Sequence, residues 1–124
     1  MDTYQRFPEG GLDKKSIINI IEYIVEKYGW CNDENPYEGC HNFSPTIEEL
    51  LSLADEYGED RIRFVGFTIS PPRDDYGVDI DGFDGKNLTI EEVLRLVMDY
   101  HGASEMEVIG PNENGLYEVS FWWD

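Results

Sequence analysis

A chain of 124 residues, 40% of them hydrophobic and 14% aromatic, can bury a core of its own and reads as one folded domain, not as a disordered acidic tail. Its 27 acidic and 9 basic side chains give a formal net charge of −18. With so few Lys and Arg, direct nucleic-acid binding and attachment to an anionic membrane are both disfavoured, since each needs a basic patch.

The polar opening "MDTYQRFPEGG" carries no periodic signal, and no apolar run has the length of a signal peptide or membrane span. A cytoplasmic location is the expectation, in the host cell if the gene is phage-borne. The first predicted helix starts after Asp13, a capping residue, with Leu12 placed to staple onto Ile17. Ile20, Ile21, Ile24, Val25 and Tyr28 continue the apolar face, and Gly29 ends it. Cys31, Cys40 and His41 lie in the segment that follows.

A duplication organises the rest. "TIEELLSLADEYGEDRIRFVG" (46–66) matches "TIEEVLRLVMDYHGASEMEVIG" (89–110) with one residue inserted. Thr46 and Thr89 are predicted caps, and Glu49 and Glu92, three residues on, complete capping boxes. Ile47, Leu50, Leu51, Ala54 and Tyr57 form one apolar helical face; Ile90, Val93, Leu94, Val97 and Tyr100 form its counterpart. Gly58 and Gly102 are the predicted stops. Strands follow over 61–69 and 105–109. Val78 and Ile80 begin a return strand in the first unit, and Leu116–Trp123 alternates as the return strand of the second. The expected fold is α+β: an N-terminal helix and then two helix–strand–strand repeats. They form a four-stranded, mostly antiparallel sheet with helices mainly on one face. The single domain divides into 1–45, 46–88 and 89–124.

Between the repeats, "DIDGFDGKNLTIEE" (79–92) resembles a calcium loop running into a helix, but the spacing fails. With Asp79 at position 1, position 5 falls on Phe83 and position 6 on Asp84, where a ligand oxygen and a glycine are required. Upstream, two prolines exclude an entering helix. What remains is Asp74, Asp75, Asp79, Asp81 and Asp84 within eleven residues. In an extended chain Asp75, Asp79 and Asp81 share a face while Val78 and Ile80 point to the core. Like charges so close repel unless a cation or basic group relieves them. A solvated loop of turn-forming aspartates is the competing reading.

Two cysteines and two histidines, Cys31, Cys40, His41 and His101, can supply a tetrahedral zinc site if the helix ends carrying them meet. No CxxC knuckle supports that arrangement, and no cofactor is expected otherwise. Nucleophile-elbow, Walker and dinucleotide motifs are missing, so no enzymatic activity is expected. In the last strand Tyr117, Val119, Phe121 and Trp123 take the core face. Trp122 then stands with Glu118 and Ser120 on the other, as an aromatic ringed by carboxylates.

Together these features favour a small acidic protein-binding inhibitor that imitates nucleic acid. Its carboxylates would occupy the basic groove of a nuclease or other nucleic-acid-binding protein, as anti-CRISPR and other anti-defence inhibitors and toxin-immunity proteins do as classes. The candidate surface is Asp74, Asp75, Asp79, Asp81, Asp84, Glu118 and Trp122. The alternative is a metal- or small-ligand-binding domain using the Cys/His set or the acidic stretch 74–84. Adaptation to high salt would also produce the charge, because the acids are spread through the chain. Composition leaves the oligomeric state open.

Overall fold

Each helix begins where a side-chain oxygen takes up a backbone N–H that the first turn leaves free. In the computed structural model, which describes residues 4–29, 35–71 and 76–124, Asp13 accepts from the Ser16 amide at 2.9 Å ahead of α1 (Lys14–Tyr28). Thr46 accepts from the Glu49 amide at 3.1 Å ahead of α2 (Ile47–Tyr57). Thr89 does the same for Glu92 at 3.2 Å ahead of α3 (Ile90–Asp99). The box is reciprocal at α3, where Glu92 Oε1 accepts from the Thr89 amide at 2.9 Å; α2 has the forward bond. Each cap contributes about 1 kcal/mol.

Gly29 (φ 71°) and Gly58 (φ 110°) close α1 and α2, their amides returning to Val25 O and Ala54 O. The third helix departs from the expected pattern. Its cap is Tyr100 (φ −119°), whose amide returns to Leu96 O, and Gly102 lies in the turn beyond without a positive φ. The inserted His101 moves the glycine one place too far along, and the Tyr100 ring, packed on Phe83 and Phe121, anchors the helix end instead.

The sheet has five strands, not four, and every pairing is antiparallel: β1 (Tyr4–Arg6), β2 (Ile62–Ile69), β3 (Gly77–Leu88), β4 (Glu105–Ile109) and β5 (Tyr117–Trp122), in the order β1-β2-β3-β5-β4. The unexpected strand is β1. Three residues show no alternation, and Pro8, Gly10 and Gly11 follow them, so only the outer edge of β2 defines them as a strand. Tyr4 pairs with Ile69 and Arg6 with Phe67, and Leu12 rejoins the edge at Phe64. The duplicated units are α2–β2–β3 and α3–β4–β5, and their second strands pair with each other at the centre of the sheet.

Core positions in β3 change parity. Val78 and Ile80 are buried, and so are Phe83 and Gly85. The change falls at Asp81: pairing with β2 passes from Val65↔Gly82 to Gly66↔Ile80, leaving Asp81 as an extra residue. This β-bulge returns both sets of side chains to one face. It also frees the Asp81 carbonyl, which accepts the Trp123 amide at 2.8 Å. Glycines permit the close approach on either side. A Cβ on Gly66 would lie 2.0 Å from Asp79 O, and one on Gly82 2.6 Å from Phe121 O.

The core is one cluster, in which Ile17, Ile21, Leu50, Leu53, Val93 and Leu96 of the three helices meet Ile62, Phe64, Ile80, Phe83, Val119 and Phe121 of the sheet. Phe83 stacks on Phe121 at 5.0 Å between centroids and meets the edge of Tyr100 at 5.4 Å. Such pairs add about 0.5–1.5 kcal/mol each beyond burial. Burial, reinforced by the Asp99 and Glu49 carboxylates, pushes the Tyr100 phenol up to about 12, so it stays neutral. Arg61 ties the two units together. Its guanidinium donates to Tyr57 O at 2.9 Å, Asn87 O at 2.8 Å and Glu92 Oε1 at 2.5 Å.

Two measurements test this account. Gly66→Ala should lose about 2 kcal/mol in urea unfolding, because backbone oxygen occupies the space of the new methyl. Gly102→Ala, with nothing within 4 Å of its Cβ position, should stay within about 0.5 kcal/mol of wild type. The second concerns Glu92. Burial pushes its carboxyl up, but hydrogen bonds from Arg61 and Thr89 outweigh that and hold it below the ordinary value. A carboxyl held low in the fold stabilises at neutral pH and loses that contribution as pH falls through its folded-state value. Glu92→Gln should therefore unfold at lower urea than wild type at pH 7, with the gap closing as pH drops below 4.5.

Candidate functional site

With the helices on one face, strand alternation assigns the other face of the sheet. Arg63, Val65 and Phe67 of β2 point to it, opposite Asp84, Gly82 and Asp79 of β3. Glu118, Ser120 and Trp122 of β5 continue it toward β4. Asp79, Asp84, Glu118 and Trp122 stand on this open face by register, and the bulged Asp81 reaches it through its partner Arg6. Asp74, Asp75 and Cys31 lie outside the described residues.

Each of the two central aspartates has a partner within the chain. Arg6 of β1 grips Asp81 through both terminal nitrogens, at 2.6 and 3.2 Å. The Asp81 hydrogen bond holds the Arg6 guanidinium above its ordinary range. His41 Nδ1 lies 2.9 Å from Asp79 Oδ2. A local turn presents that imidazole: the His41 amide donates to Ser44 Oγ, and the Ser44 amide returns to His41 O. Phe67 is the shared platform. Tyr4 packs on it at 4.8 Å, the His41 ring meets it edge-on at 6.1 Å, and the Arg6 guanidinium sits 5.6 Å from its centroid. Arg6, 75 positions away, thus offsets the Asp81 charge, and an imidazole 38 positions away shares a hydrogen bond with Asp79.

Trp122 is half-buried, with Gly82 on one side and Glu105 on the other. Beside Asp84, a shallow depression of about 310 Å³ is lined by Arg61, Arg63, Lys86, Asp84, Glu118 and Ser120. Its charges are mixed, and no histidine lines it to activate the Ser120 hydroxyl. The three described members of the Cys/His set have separate partners. Cys40 is exposed and its thiol faces Asn42 O at 3.7 Å, His41 holds Asp79, and His101 caps the end of α3 through Met98 O at 2.9 Å. Among the described residues no group of three His, Cys, Asp or Glu side chains stands close enough to hold a metal ion. Among them, too, no helix is long and apolar enough to cross a membrane.

Sequence reasoning placed Ile90 and Leu94 on a packed helical face. Instead α3 buries Val93 and Leu96 and leaves Ile90, Leu94 and Met98 exposed along one line. On β4, Met106 and Val108 point to the helix side of the sheet, opposite Phe121 and Val119, and are exposed as well. Helical spacing identified the apolar residues; it could not reveal that half of them lack a neighbour. Glu91 opens α3 beside this stripe, while Glu105 and Glu107 alternate with Met106 and Val108 onto the opposite, open face of the sheet; none of the three has an ion-pair partner among the described residues.

Protein-family models, curated proteins and solved structures were each compared with the chain, and none matches.

The two kinds of carboxylate should respond differently to neutralisation. Asp81→Asn deprives Arg6 of its bidentate partner and should lower stability by about 1 kcal/mol in urea unfolding. Glu105→Gln with Glu107→Gln removes only repulsion from a chain of charge −18, and its urea midpoint should equal or exceed that of wild type.

Proposed function

We propose that the chain is a small acidic protein-binding module that docks on a basic nucleic-acid-binding protein or nuclease and blocks its nucleic-acid groove. The supporting observation is how charge is distributed over the folded chain. Residues 89–124 carry 8 acids and 1 base, and that base, Arg95, points away to Glu56 on α2 at 3.3 Å. One side of the molecule therefore presents carboxylates on a rigid helix and hairpin with no basic side chain of its own free to offset them. Such a field raises the encounter rate with a basic surface and competes there with phosphate.

The internal pairing of Asp79 and Asp81 moves the centre of this reading. Those aspartates contribute to the overall field, but Arg6 and His41 already occupy them. Glu105 and Glu107, on the edge strand of the second unit, take over the role first assigned to the aspartates, while Glu118 shares its depression with Arg61, Arg63 and Lys86. Trp122 keeps its place beside them as a half-buried aromatic.

Immobilised protein should retain basic nucleic-acid-binding proteins from a lysate at about 0.05 M salt and release them by about 0.5 M, where the screening length shrinks to a few ångströms. Duplex DNA or RNA added at low salt should displace the same proteins. Retention indifferent to salt and to nucleic acid would rule out the mimic.

A further inference from the structure

The duplication supplies an internal reference for what a covered flank looks like. Aligned positions of the two units share apolar character but not environment. Ile47 and Leu51 on α2 are 3% and 4% exposed, whereas their counterparts Ile90 and Leu94 on α3 are 43% and 54% exposed. On the strands, Ile62 and Phe64 are both 0% exposed, against 37% and 44% for Met106 and Val108. In the first unit the cover is the segment Tyr4–Tyr28: β1 and Leu12 line the outer edge of β2, and the first half of α1 meets α2. Ile18 of α1 and Leu51 of α2 face a common groove, and Lys14 reaches Asp55 across it at 2.7 Å. Among the described residues, nothing holds the corresponding place beside α3 and β4.

We infer that this place is the docking groove for a basic amphipathic helix of a partner protein, meeting α3 at Ile90, Leu94 and Met98 as α1 meets α2 at Leu51 and Asp55. The inference rests on the protein-binding reading above and locates its surface. Shape comes from the repeat, since the same apolar positions that α1 covers in one unit form the wall and floor in the other. At the Asp55 position the second unit has Met98, 74% exposed, which lengthens the apolar wall. Charge selects the partner. Residues 89–124 carry 8 acids and 1 base, and that base, Arg95, is turned to Glu56; Glu91 stands in the first turn of α3, and Glu105 and Glu107 alternate with Met106 and Val108 onto the opposite face of the same edge strand. A second copy of the chain would bring the same carboxylates against themselves, whereas a helix with lysine or arginine beside its apolar stripe would neutralise them.

The test uses the full chain, labelled with ¹⁵N, and a synthetic helix of about sixteen residues, long enough to have some helicity alone. The peptide is aliphatic at the spacing of Ile17, Ile21 and Ile24 and lysine-rich on either side; a control has glutamine for lysine. Amide shift changes should concentrate on Ile90–Asp99 and Glu105–Ile109 and weaken with the control. The exposed pair Leu94→Ser and Met98→Ser should leave the free spectrum and urea midpoint in place while weakening the peptide about tenfold or more. Changes scattered over the other acidic surfaces, or binding unaltered in the double variant, would overturn the inference. So would light scattering that finds a dimer dissolved by the same double variant, which would give the groove to a second copy. Retention of basic proteins from lysate, undiminished in the double variant, overturns the groove while leaving the proposed function standing. A seated peptide without such retention supports the groove and removes the nucleic-acid mimic.

Discussion

The pairing of β3 with β5 is the constraint on which the rest of the molecule depends. Each duplicated unit consists of one helix and one hairpin, too little to bury a face in water. Joining the second strands makes a sheet wide enough for Phe83 and Phe121 to stack at its centre beneath three helices. That seam demands backbone proximity, which Gly82 allows beside Phe121 O. It also demands that β3 keep Val78, Ile80 and Phe83 on one side, which the bulge at Asp81 achieves. The central strand of the sheet therefore carries Asp79, Asp81 and Asp84. Its carboxylates face outward because the core has taken the alternate positions.

Compensation of charge then follows from topology. The described ion pairs link β1 to β3, α1 to α2, the loop before α2 to β3, β2 to α3, and α2 to α3. Exposed pairs of this kind contribute about 1 kcal/mol or less each, so their larger effect is on where charge remains. Arg6 and Lys14 are drawn onto Asp81 of β3 and Asp55 of α2, and Arg61 onto Glu92 of α3. Arg95, the one base of residues 89–124, turns back toward α2. Carboxylates without an ion-pair partner among the described residues are left on both units, Glu48, Glu49 and Glu59 on the first and Glu91, Glu105 and Glu107 on the second, but only the first unit keeps further bases, Arg63 and Lys86, near its own.

Much of this was readable before folding, and the boundary is physical. Helix starts were legible because a cap acts over three residues, and the repeat doubled the signal at Thr46 and Thr89. The alternation of β5 placed Val119 and Phe121 inside and Trp122 on the opposite face. β1 was not legible, since a three-residue edge strand is defined by its partner alone. Nor were the Arg6–Asp81 and His41–Asp79 contacts, which join parts of the chain with no common pattern. The exposed stripe on α3 escaped for a different reason. Periodicity reports which side chains are apolar, while burial depends on whether another element arrives to cover them, and Leu51 and Leu94 have the same local sequence context.

The β4 edge bears on how such a stripe can avoid pairing with a second copy of the chain. An uncovered strand beside exposed aliphatic side chains ordinarily invites pairing with its own kind. Two copies meeting along β4 would confront Glu105 and Glu107 with the same residues, and each copy brings a net charge of −18. The carboxylates that replace Arg61 and Arg63 in the second unit therefore discourage self-association while leaving the apolar groove intact. The duplication could have closed both flanks alike. Instead α1 covers one flank, and at the other the field of 8 acids and 1 base in residues 89–124 disfavours an acidic segment and favours a basic one.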